Sequence, residues 1–337
     1  MKIIWKTVLC ILFIFILPPC IAFAGTLRTQ SFNLKAGWNA VFLEVEAINS
    51  KPDSIFKDTP VIQVLTFYPK SSSVEFIKDP EEVAWNKEGW HSWVQPNRPE
   101  SILTNLYGLQ AGQAYLIFCT EDYIWEYTGE SKFINRTWQP YSYNFTGFFV
   151  DPNAPPTFSQ FFAGSQSSAN IKIYTLLNNK WLQVLEPWEE IIRSGKAYWV
   201  WYEEELDYPG PMEVKIQGVK DEILFLPEIT ELELNIINRS PDPLSFILEQ
   251  VAGVDNANQV PLFLVKTDLT ASTITTYANF STYEPANALK PGEAHTVRFA
   301  IRQNVMNIDI IRSLLVITDD LGNRFYLPMQ AEKLQIK

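Results

Sequence analysis

Cysteine is nearly absent from this 337-residue chain: Cys10 and Cys20 fall in an apolar N-terminal stretch, and Cys119 is the only one after it. One remaining thiol cannot close an internal disulfide, so the folded part must rest on its packed cores. Histidine is scarcer still. His91 and His295 are far apart, and neither has a cysteine or second histidine at ligand spacing, which argues against a structural zinc. The sequence also lacks a Gly-x-Ser-x-Gly elbow that would pair a nucleophile with a base. No metal and no cofactor is expected. Positive charge is in deficit, with 27 basic against 38 acidic side chains and a net charge of -11. No basic cluster offsets it, so general affinity for nucleic-acid phosphates is not expected. No helical periodicity is long enough for a helical domain, and no apolar run reaches the roughly 20 residues of a spanning helix.

What is present is apolar and aromatic: 47% of residues are hydrophobic and 14% aromatic. That share supplies packed cores and excludes disorder for most of the chain. Its length suits two or three domains. At the start, Lys2 and Lys6 precede an apolar run over residues 8–17, and Ala22 and Ala24 flank Phe23 before Gly25. This is the pattern of a secretory signal peptide over residues 1–24, with a retained anchor or a lipid-attached Cys20 as alternatives. Cleavage after Ala24 leaves a net charge of -13 and no transmembrane segment. No sorting signal follows Gln330. The expected location is secreted, in the periplasm or at the cell surface.

Ten tryptophans lie between Trp38 and Trp201, and none follows. The break in composition places a boundary near residues 209–212. Upstream of it the chain repeats imperfectly. Gly112-Gln113-Ala114-Tyr115 returns 83 positions later as Gly195-Lys196-Ala197-Tyr198, and Ile62 to Thr66 matches Ile171 to Thr175 at an offset of 109. Val41-Phe42-Leu43 matches Gly147-Phe148-Phe149 at an offset of 106, and the first copy carries about 25 extra residues around positions 79–100. Short alternating runs read as strands, and prolines open short helical turns near residues 51, 99, 156 and 187. In the run Tyr115-Leu116-Ile117-Phe118-Cys119, alternation puts Tyr115, Ile117 and Cys119 on one face. Cys119 then reads as a small buried hydrophobe, with a nucleophile or an intermolecular bridge as alternatives.

From about residue 213 the alternation is cleaner. Leu232, Leu234 and Ile236 share one face, as do Val297, Phe299 and Ile301. Seven to nine strands at roughly 10-residue spacing fit an immunoglobulin-like Greek-key sandwich, without the paired cysteines and core tryptophan of antibody domains. The predicted fold class is all-β with a few short helices. Its expected units are a first β-rich module over 25–134, a second over 135–212, and a sandwich over 213–337.

The segments Gly37-Trp38-Asn39 and Gly195-Lys196-Ala197-Tyr198-Trp199-Val200 carry a resemblance. The stretch over residues 32–210 resembles β-rich modules of bacterial exported and surface proteins, which open on a Gly-Trp-Asn strand and close on a Gly-x-x-Tyr-Trp-Val strand. The first copy departs at its close, with Tyr115-Leu116-Ile117, and the second at its opening, where Asn144 to Gly147 stand in place of Gly-Trp-Asn. The resemblance implies location and architecture, and no catalytic residue.

Three clusters invite a functional reading. In the insertion of the first copy, Trp85, Trp90, His91 and Trp93 stand among amides and charges, a composition suited to stacking on a glycan or protein partner. The alternative is that these rings pack between modules. Glu186, Glu189 and Glu190 beside Trp181 and Trp188 fit a glycosidase pair, or the solvated side of a helical turn with Trp188 and Ile192 inward. The segment Asp319-Asp320-Leu321-Gly322-Asn323 offers oxygens to calcium, or a hairpin turn. The expectation is a non-enzymatic binding or structural protein that contacts glycan or protein through the insertion or the groove between modules. The alternative is a polysaccharide-active hydrolase or lyase.

Overall fold

The computed structural model describes residues 26–68, 89–205, 207–218, 221–251, 259–268 and 274–334. The signal-peptide expectation and Trp85 lie outside the described residues. The fold is all-β with two short helices. Among the described residues no helix is long and apolar enough to cross a membrane.

The first unit packs two sheets face to face. One holds β1 (Leu27–Leu34), β3 (Val45–Glu46) and β7 (Tyr123–Ser131) in the order β1-β7-β3. The other holds β2 (Gly37–Phe42), β4 (Val61–Phe67), β5 (Trp90–Val94) and β6 (Ala114–Cys119) in the order β2-β6-β4-β5. Along β6, Tyr115, Ile117 and Cys119 enter the core between these sheets, while Ala114 and Leu116 enter a second core on the far side. Both faces of the sheet are therefore buried, which is why its strands read as nearly continuous apolar runs.

The second unit supplies the cover for that far side. Its strands β8 (Ser142–Thr146), β9 (Lys172–Leu177), β10 (Lys180–Gln183) and β11 (Tyr198–Tyr202) form one sheet in the order β10-β9-β11-β8. Phe145, Leu176, Trp181 and Trp199 face Trp38, Phe42, Leu65 and Phe67 across the shared core. On the opposite face, Tyr198, Val200 and Tyr202 pack under helix α2 (Phe158–Phe162). A capping box holds the start of α2: Gln160 N donates to Thr157 Oγ1, and Thr157 N donates to Gln160 Oε1.

The two four-stranded sheets have the same strand order when β2, β4, β5 and β6 are set against β8, β9, β10 and β11, with α1 (Pro52–Ile55) answering α2. Tyr115 Oη accepts from Gln110 N at 2.8 Å, and Tyr198 Oη from Arg193 N at 3.1 Å, five residues upstream in each copy. Gly112 and Gly195 both have positive φ, at 76° and 73°, which explains glycine at that step of the repeat. One detail of the repeat is corrected. Asn39 bonds both the N–H and the carbonyl of Lys35, and Asn144 does the same to Gln139. The counterpart of Gly37-Trp38-Asn39 is thus Ser142-Tyr143-Asn144, and Asn144 closes that segment rather than opening it.

The third unit is an immunoglobulin-like sandwich of two five-stranded sheets. The first sheet is β12 (Met212–Ile216), β14 (Glu231–Asn238), β19 (Ala294–Ile301), β16 (Leu262–Asp268) and β17 (Ile274–Asn279) in spatial order. The second is β13 (Ile223–Phe225), β21 (Arg324–Glu332), β20 (Ile310–Asp319), β15 (Phe246–Val251) and β18 (Thr282–Tyr283). Named A to G along the chain, the principal strands give A-B-E-D on one sheet and G-F-C on the other, the immunoglobulin arrangement. Leu234, Ile236, Val297, Phe299 and Ile301 enter its core. The 319–323 segment is the hairpin turn between β20 and β21. There Asp319 Oδ1 accepts from the N–H groups of Leu321 and Asn323, so its oxygens serve the turn.

Candidate functional site

The structure does not bring the sequence-predicted site residues to one surface. Trp90 and Trp93 are 6% and 2% exposed, on opposite faces of β5. Trp90 joins the core between the modules, 6.1 Å from Trp199 by ring centroids. Trp93 joins the core of the first module, and its indole N–H donates to Asp53 Oδ1 at 2.6 Å. This corrects the expected binding face: successive strand residues point to opposite sides, and both sides are covered here. His91 is half-buried, with Nδ1 3.3 Å from the Asn105 carbonyl oxygen and its ring edge-on to Tyr68. The acidic cluster also changes. Residues 186–190 form a hydrogen-bonded turn, which leaves Trp188 61% exposed while Ile192 is buried and Trp181 enters the inter-module core.

A groove of about 770 Å³ runs between the two modules and is the candidate site. One wall comes from β1 and β2, the other from the β9–β10 hairpin and the turn before β11. The hairpin turns at Asn178 and Asn179, with φ of 49° and 62°, a left-handed pair that asparagine tolerates. Asn179 Oδ1 accepts from Trp38 N at 2.7 Å, which ties the hairpin to the start of β2. A Cβ at Gly37 would overlap that amide, so glycine permits the approach. Backbone bonds from Phe42 N to the Gly195 carbonyl and from Ala197 N to the Ala40 carbonyl close the floor, at 2.8 and 3.1 Å.

The lining mixes apolar side chains with amides and cations. Asn33 and Asn178 offer amides, and Lys35, Arg193 and Lys196 offer positive charge, with no aspartate or glutamate among the lining residues. Lys35 is paired at 2.8 Å with the exposed Asp122. Burial and the neighbouring Arg193 lower the pKa of Lys196. In a chain of net charge -11 this lining stands out from the bulk composition. Sequence reasoning missed it because Lys35 lies far along the chain from Arg193 and Lys196, and only the docking of the modules brings it to them.

Behind the groove the units are tied by a buried carboxylate. Glu44 accepts from Arg28 at 3.3 Å and from Ser194 at 2.8 Å, and its pKa is raised because burial outweighs these partners. Arg28 also lies 3.4 Å over the Tyr326 ring of the sandwich. Among the described residues no group of three or more histidine, cysteine or acidic side chains is placed to hold a metal ion. Cys119 is buried, and burial pushes its thiol pKa up to about 12.

No protein-family model matches the chain, and no curated protein matches it. Among solved structures, a PapD-like domain of human CEP192 is similar at 9% identity over 40% of this chain and 94% of its own length, with a TM-score of 0.24. A FixG-related protein from Vibrio parahaemolyticus is similar at 13% identity over 37% of this chain and 95% of its own, with a TM-score of 0.21. At such scores these likenesses carry no argument about function, and the sandwich is described from its own strand order.

Proposed function

We propose that the protein is an exported, non-enzymatic binding protein of the periplasm or cell surface, and that the groove between the two modules holds a glycan bearing carboxylate groups. The observation that carries this reading is the lining of that groove: amides from Asn33 and Asn178 beside the cations Lys35, Arg193 and Lys196, with no carboxylate among them. Amides suit sugar hydroxyls, cations suit acidic substituents, and the volume lies within the usual range of ligand pockets, about 300 to 1,000 Å³. Export is supported by the lysines, apolar run and Ala22-Phe23-Ala24 of the N-terminal segment.

Calorimetric titration with oligogalacturonate and with a neutral dextran of equal length tests the groove. The expected result is binding of the acidic oligomer alone, weakened at least tenfold by joint Arg193→Ala and Lys196→Ala substitution and by raised salt. Equal affinity for both oligomers, or no loss in the double variant, overturns the reading. Recovery from producing cells of a chain beginning at Gly25 tests the export.

A further inference from the structure

We propose that a second cavity, at the junction of all three units, binds a small carboxylic acid, with Arg136 holding the anion. The cavity has a volume of about 120 Å³ and shares no lining residue with the groove. It is therefore independent of the function proposed above. Phe42 comes from the first module, Phe149 from the second, Met212 from the entry to the sandwich, and Asn323 from the β20–β21 hairpin.

Arg136 lies in the segment joining the two modules. Its Nη1 donates to Thr146 Oγ1 at 2.9 Å and its Nη2 to the Gly147 carbonyl at 2.7 Å. Its guanidinium carbon stands 4.6 Å from the Phe148 ring centroid and 5.3 Å from that of Trp138. Two of five N–H donors are thus engaged, both by neutral oxygens. Among the described residues no carboxylate forms an ion pair with it, whereas Arg324 in the same lining is paired with Asp151 at 2.7 Å. Burial pushes the Arg136 pKa down to about 9, so the group remains charged at neutral pH. A half-buried cation with no carboxylate partner is open to an anion, and a planar carboxylate is the partner whose geometry matches the guanidinium fork.

The remaining walls are largely apolar, including Phe42, Ile134, Phe149, Phe161 and Phe325, which suits a short aliphatic body. The volume far exceeds the roughly 10 to 15 Å³ needed for one water. Asn135 and Thr137 on the lining are exposed, so the cavity is reached from solvent.

Calorimetric titration of the full chain with lactate, propionate and propane-1,2-diol tests the site. Lactate and propionate are both expected to bind saturably, and the uncharged diol not at all. Arg136→Gln is expected to weaken lactate at least tenfold with the circular dichroism of the fold unchanged. Absence of lactate binding to the wild type, equal affinity for the diol, or retained affinity in Arg136→Gln overturns the proposal. If that variant fails to fold, wild-type crystals soaked with 3-bromopropionate decide: an anomalous bromine peak in this cavity supports the site, and its absence there overturns it.

Discussion

Ser194 of the second module donates a 2.8 Å hydrogen bond to the buried Glu44 carboxylate of the first, across 150 residues of sequence. The contact joins the turn before β11 to the segment after β2, directly behind the groove. It reports on the docking of the two modules. Hydrogen bonds to charged groups contribute about 1.5 to 3 kcal/mol. Ser194→Ala should therefore lower the unfolding free energy by about that amount in urea titrations, and unchanged stability would show that the modules dock without it.

Asp319 provides a pH signature. Burial raises its pKa from 3.8 to about 7, against the bonds from Asn323 that lower it. The folded state keeps this proton where the unfolded chain has released it. Its stabilising share is complete below about pH 3.8 and is lost as pH rises toward 7, with a slope of at most about 1.4 kcal/mol per pH unit. Urea unfolding of the wild type and Asp319→Asn at pH 4, 5.5 and 7 measures this. The wild type should lose stability relative to Asp319→Asn as pH rises; parallel profiles would refute the assignment.

The tryptophans of β5 should matter for stability. Trp90→Ala opens the core between the modules and Trp93→Ala opens that of the first, each expected to cost about 3 to 5 kcal/mol. Trp93→Phe retains most of the packing and gives up the bond to Asp53, an exposed carboxylate that water can serve, for a smaller loss of about 1 kcal/mol. Thermal unfolding checks the order. A Trp90→Ala protein as stable as the wild type would contradict the shared core.

Cys119 should be silent in the folded protein. Its thiol is buried and its pKa is pushed up by burial and by Asp122, so almost none is thiolate at pH 8. Ellman's reagent should react with it only at the rate of unfolding, becoming fast in 6 M guanidinium. Prompt labelling of the native chain would rule out this environment.

Much of the local structure was legible in the residues. The period of two along Tyr115, Ile117 and Cys119, and along Leu234 and Ile236, placed these side chains on their observed core faces. The Gly-x-Ala-Tyr echo identified two copies, because each needs glycine at positive φ and a tyrosine that bonds the backbone five residues upstream. A helical turn at residues 186–190 predicts Trp188 inward by its spacing to Ile192, whereas the turn that forms leaves Trp188 exposed and only Ile192 buried. The tryptophans of β5 resembled a binding face because nothing local distinguishes a ring awaiting a partner from one buried by a second module.

Composition and periodicity by themselves determined that this is an all-β chain with an internal repeat and an alternating C-terminal sandwich. Those properties arise from backbone geometry and burial, which act residue by residue. Tertiary structure alone decided which polar groups meet. Lys35, Arg193 and Lys196 meet in one groove, and Arg136 and Asn323 line one cavity, only because three units dock. Electrostatic complementarity depends on distance through space, and sequence separation carries no record of it.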